Sequence, residues 1–109
     1  DFLEQPLDLN RALIPNPAST FFVRVGGDSM SGAGIDDGDL LVVDRAVEPM
    51  EGKIAICFVD GEFTLKHLRI EDGGLRLEPA NPKYPAIEIT EGVEFRMWGG
   101  VTYRIKKVR

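Results

Sequence analysis

Twelve glycines and seven prolines cut this 109-residue chain into short runs rich in Val, Ile, Phe and Leu, and that punctuation leaves little room for anything but β-structure. Strands are expected at Phe21–Val25, Leu40–Asp44, Lys53–Val59, Glu62–Ile70, Leu75–Pro79, Ala86–Ile89 and Phe95–Val108. Asp60-Gly61 is a two-residue loop of the strongest hairpin type, and Asp72-Gly73-Gly74 closes the next pair. Gly99-Gly100 should kink the long last segment or insert a bulge. Leu7, Leu9 and Leu13, beside Asp8 and Asn10, allow a turn or two of helix before Pro15 and Pro17 end it. Seven strands, each too short to bury a face alone, predict a mainly β fold: a small, strongly curved sheet or barrel-like domain over residues 20–109. The proline-rich residues 1–19 read as an extended arm lying on it or swinging from it.

Length and charge narrow the function. At this size there is one domain, burying roughly two thirds of its unfolded surface. No apolar run approaches the ~18–20 residues of a membrane span, and no signal-peptide pattern is visible, so a cytoplasmic location is expected. One cysteine and one histidine exclude a disulfide framework and an ordinary Cys/His zinc site; neither a metal nor a cofactor is expected. The net charge of −5 argues against a broad grip on nucleic acid. The charge is uneven: Arg96 to Arg109 carries five basic residues and no acid. That basic segment reads as a solvated edge strand or as a surface complementary to a partner.

Two features carry chemistry. Ser29 sits in Gly26-Gly27-Asp28-Ser29-Met30-Ser31-Gly32, where glycines permit a sharp turn and leave amides free to meet an oxyanion. Lys66 alternates with His67 along its strand, so it shares a face with Thr64, Leu68 and Ile70 and has no obvious acid beside it. Desolvation there would lower its pKa towards that of a base useful near neutral pH. Each feature alone is commonplace: lysines in strands usually lie along the surface, and serines are frequent in glycine-rich turns. Together they suggest a Ser-Lys dyad that needs no histidine. Cys57 reads as a core thiol. Asp36-Asp37-Gly38-Asp39 lacks the spacing and closing glutamate of a calcium loop. Trp98 with Tyr103 and Phe95 fits packing better than a stacking platform, and Phe21 and Phe22 cannot both point inward.

Phe22-Val23-Arg24-Val25-Gly26-Gly27-Asp28-Ser29-Met30, followed by Gly34-Ile35-Asp36-Asp37-Gly38-Asp39-Leu40 to Asp44, resembles the nucleophile region of the LexA/UmuD family of self-cleaving proteins. Asp60-Gly61-Glu62-Phe63-Thr64-Leu65-Lys66 resembles that family's lysine strand at a fitting distance. The likeness extends through Glu4-Gln5, Leu7 to Asn10, Pro79-Ala80-Asn81 and Tyr84, and favours the UmuD-type branch. It implies Ser29 as nucleophile, Lys66 as general base, and the backbone amides of Asp28 and Ser29 as oxyanion donors. It further implies a homodimer that cuts its own N-terminal segment when a RecA filament on single-stranded DNA signals damage, then joins an error-prone translesion polymerase. The family cuts at Cys-Gly or Ala-Gly. Ala33-Gly34 is too close to Ser29 to serve and reads as a turn, so the chain is expected to begin past its cleavage site. The C-terminal dimerisation and self-cleavage domain of a LexA-like or phage repressor is the alternative, and a leader-peptide-type processing enzyme a weaker third.

Overall fold

The computed structural model describes residues 5–108. It has a short helix α1 (Leu9–Leu13) and seven strands: β1 (Thr20–Arg24), β2 (Leu40–Asp44), β3 (Ile54–Val59), β4 (Glu62–Glu71), β5 (Gly74–Glu78), β6 (Ile87–Ile89) and β7 (Phe95–Ile105). All pair antiparallel in one sheet of order β1-β2-β7-β3-β4-β5-β6. The two tight hairpins fall where the sequence puts them. Asp60 and Gly61 take φ of 45° and 89°, and Asp72 and Gly73 take 49° and 76°, the left-handed pair that matches strand twist.

Strand β7 departs from expectation. It is interior, wedged between β2 and β3, and not a solvated edge strand. Its register slips twice, once opposite Ile56/Cys57 and once opposite Val42/Val43, so that Trp98 and Thr102 are bulged on either side of Gly99-Gly100. A Cβ on Gly99 would sit 2.8 Å from Val43 Cγ1, which is why the sheet bends there over a glycine. The bending brings distant strands together: Phe21 of β1 packs on Trp98 at 4.6 Å between ring centroids, and Trp98 on Phe63 of β4 at 4.7 Å. Phe22, the alternate residue, is half exposed. The basic end of β7 is also engaged. Arg104 donates to the Gly34 carbonyl at 2.7 Å, and Lys106 pairs with Asp36 at 2.7 Å and with Asp39. Arg109 lies outside the described residues.

The core has two parts. Met30, Ile35, Leu41, Val43 and Ile56 form one, beneath the loop that follows β1; Ala55, Cys57, Leu68 and Leu77 form the other, beneath β4. Cys57 is fully buried, as a core thiol should be.

The N-terminal segment lies against this body at its root. Asp8 caps α1 by accepting from the Asn10 amide. Asp44, 2% exposed, accepts from Ser19 Oγ, Asn16 Nδ2 and the Ala46 amide. Residues 1–4 of the expected arm, with Glu4 of the resemblance, lie outside the described residues. The three donors hold the Asp44 carboxyl below its ordinary pKa, Ser19 contributing most. Folding therefore favours the ionised form. Its stabilisation is complete above the ordinary aspartate pKa of ~3.9 and is lost as pH falls through the lower folded value. Asp44→Asn should flatten that part of the acid limb, read from urea unfolding between pH 3 and 7; an unchanged pH dependence would dismiss this role for the carboxylate.

Candidate active site

Three segments build the site. The first is the loop after β1. Gly27 takes φ of 88° and donates its amide to Asp37 Oδ1 at 2.8 Å. The chain then turns through Asp28 and Ser29 to Met30, which is 1% exposed and plugs the first core cluster. A single 3-10 turn (Ser31–Ala33) follows, ended by Gly34 at φ 78°, so Ala33-Gly34 is turn chemistry as expected.

The second segment is β4. Its alternation puts Lys66 on the side of the second core cluster, and Lys66 is 8% exposed. Lys66 Nζ lies 3.5 Å from Ser29 Oγ, 2.6 Å from Thr64 Oγ1 and 3.2 Å from the Leu65 carbonyl. Among the described residues no carboxylate pairs with it. Burial pushes the Lys66 ammonium below its ordinary pKa. Burial also pushes the Cys57 thiol up to about 11, so it is a neutral neighbour and supplies no countercharge. His67, one residue on, faces the other way and lines a groove with Lys53 and Arg104. The structure thus brings together the serine and lysine singled out from sequence and leaves the histidine elsewhere.

The third segment was visible in the sequence only as part of a resemblance. Residues 79–84, Pro-Ala-Asn-Pro-Lys-Tyr, form a strap across the serine loop. Ala80 N donates to the Ser29 carbonyl at 2.8 Å, and Gly32 N donates to the Ala80 carbonyl at 2.7 Å. Asn81 Nδ2 donates to the Asp28 carbonyl at 3.0 Å, and the Tyr84 hydroxyl to the Asp28 carboxylate. The Asp28 carboxyl is held below its ordinary pKa, chiefly by Tyr84 and secondarily by Lys83 at 3.4 Å. The amides of Asp28 and Ser29 have no acceptor among the described residues. A local signal for the strap does exist: an asparagine between prolines favours a turn closed by its own side chain, and Asn81 Oδ1 does accept from Lys83 N at 3.0 Å.

Two further candidates are otherwise occupied. Asp36 and Asp39 face Lys106, and Asp37 caps Gly27, so their carboxylates serve the loop. Trp98 is packed between Phe21 and Phe63, with the Arg45 guanidinium 5.1 Å above its ring. A cleft of about 210 Å³ opens between β1 and β4, and its wall includes Val23, Gly26, Leu41, Phe63 and Thr64. Thr64 of that wall is the residue whose hydroxyl meets Lys66 Nζ.

Fold and site together define a mainly β domain, one antiparallel sheet with a loop serine held against a buried lysine. Comparison with known proteins places it more closely: the model of the family described as Peptidase S24-like matches residues 1–102, and the chain belongs to that family. Its kind of activity is that of a serine peptidase. The chain is 47% identical to protein SamA of Salmonella typhimurium strain LT2, over all of this chain and 75% of that protein. It is 43% identical to protein ImpA of Escherichia coli over all of this chain and 74% of that protein. A LexA repressor from Halorhodospira halophila is 46% identical, but over 68% of this chain and 33% of the repressor. Its relatives SamA, ImpA and MucA are UmuD-like. Among the described residues no helix is long and apolar enough to cross a membrane.

Proposed function

We propose that this chain is the Ser-Lys domain of a UmuD-like protein that severs a peptide bond in an N-terminal segment of its own kind. In this reading RecA filaments promote the cut, and the shortened product serves as a homodimeric accessory subunit of an error-prone translesion polymerase. The observation that carries it is the 3.5 Å approach of Ser29 Oγ to a buried lysine whose other directions are filled by two acceptors. A neutral amine has two N–H groups and one lone pair. Donation to Thr64 Oγ1 and to the Leu65 carbonyl leaves the lone pair for the Ser29 hydroxyl proton.

The steps follow. Ser29 Oγ attacks the scissile carbonyl carbon as its proton passes to Lys66 Nζ. The amides of Ser29 and Asp28 receive the oxyanion. Collapse breaks the C–N bond, Lys66 returns the proton to the leaving amine, and water then hydrolyses the Ser29 ester. The extent of the SamA and ImpA matches, about three quarters of each protein, supports this reading over a repressor, of which the chain spans a third.

The test joins an upstream segment with an Ala-Gly bond to residue 1 and adds RecA filaments on single-stranded DNA, following intact mass. Cleavage at that bond is expected, with loss in both Ser29→Ala and Lys66→Ala. Cleavage that persists in either variant would overturn the dyad. Polymerase capture by the shortened form should survive Ser29→Ala, because the lasting role is contact and not turnover.

A further inference from the structure

We propose that the strap at residues 79–84, and Asn81 in particular, is the positioning element for the Ser29 amide, one of the two oxyanion donors of this site. The inference rests on the reading of Ser29 as nucleophile given above. In a trans peptide the carbonyl and the following amide point in opposite directions within one plane. The carbonyl of Asp28 and the amide of Ser29 belong to one such plane. Asn81 Nδ2 holds that carbonyl at 3.0 Å, and Ser31 N holds it at 3.1 Å. Fixing the carbonyl on the strap side turns the Ser29 amide to the opposite side. The next plane is fixed in the same way, since the Ser29 carbonyl accepts from Ala80 N at 2.8 Å. Two successive peptide planes around the nucleophile are thus set from a segment fifty residues away in the chain.

The strap is itself held at several points. Asn81 Oδ1 accepts from Lys83 N, and the Asn81 carbonyl from Tyr84 N at 3.1 Å. Tyr84 reaches back to the Asp28 carboxylate. Strap and loop meet so closely that a Cβ on Gly32 would lie 2.3 Å from the Ala80 carbonyl oxygen, and only glycine fits there. An oxyanion donor is useful only when its direction is set before charge develops, so orientation by the strap acts on the rate and leaves the base alone. Among the described residues no hydrogen bond joins the strap to Lys66.

The test uses this chain and an alkyl fluorophosphonate. Ser29 Oγ forms the P–O bond, fluoride leaves, and the proton passes to Lys66; the phosphoryl oxygen occupies the oxyanion position. Labelling is followed by intact mass across pH 6 to 10. Asn81→Ala should lower the plateau rate by about ten- to a hundredfold and leave the pH midpoint in place. The Ser29 amide resonance should shift in a nitrogen–proton correlation spectrum, while thermal unfolding stays cooperative. Tyr84→Phe, which keeps the ring and the Asn81 contacts, should lower the rate severalfold and provides the measurement if Asn81→Ala does not fold. An unchanged plateau, or a moved midpoint showing that the strap acts on Lys66, would overturn the inference. Failure of the unaltered chain to label at Ser29 would overturn the dyad itself, and the strap's role with it.

Discussion

Lys66→Ala should reduce fluorophosphonate labelling of Ser29 by about a thousandfold at pH 8, within the range that a positioned general base supplies. The same change removes the pH dependence. In the unaltered chain only the neutral amine accepts the serine proton, so the rate climbs with pH until it passes the folded pKa of Lys66. That pKa lies below the ordinary lysine value because burial desolvates the ammonium and, among the described residues, no carboxylate pairs with it. Lys66→Arg keeps a positive charge at every accessible pH and should be as slow as alanine. Linkage gives the stability counterpart. Between the lowered folded pKa and the ordinary one the unfolded chain binds more protons, so stability rises with pH across that window. Labelling of Lys66→Ala within threefold of the original rate would remove the lysine from the chemistry.

The second large effect is expected from Leu68→Ala. Leu68 is fully buried two residues beyond Lys66 on the same side of β4, packed with Ala55, Cys57 and Leu77. Truncation leaves a cavity in the smaller core cluster and should cost about 3 kcal/mol in denaturant unfolding. The matched change Ile70→Ala, at a position half exposed on the same strand, should cost under about 1 kcal/mol. Leu68 also stands next to Lys66 on that face of the strand. A partly hydrated cavity would relieve the desolvation that lowers the Lys66 pKa, so the labelling profile of Leu68→Ala should move to higher pH. A loss of stability with an unmoved profile would show that Lys66 is desolvated by other neighbours.

The strands and both tight hairpins were legible in the chain, as was the side of β4 on which Lys66 lies, because each depends on short-range rules. A left-handed Asp-Gly pair makes a tight turn wherever it stands between strands, and period-two alternation alone puts Lys66 and Thr64 on one side of β4. The placement of β7 was not legible. Its basic ending looks like that of an edge strand, yet two bulges around Gly99-Gly100 let it pass between β2 and β3 and bring Arg104 and Lys106 onto the Gly34–Asp39 loop. Charge pattern cannot foretell this, because the carbonyl that answers Arg104 and the acids that answer Lys106 lie some seventy residues away.

By itself, then, the sequence determined a curved β domain and which serine and lysine to watch. Tertiary structure alone decided that Lys66 is buried, since register sets Ala55 of β3 beside it and the serine loop closes on its Nζ. It also decided that Ser29 is braced by Ala80 and Asn81. Turn and strand preferences act over a few residues, whereas desolvation and the direction of a peptide plane belong to whatever the fold packs against them.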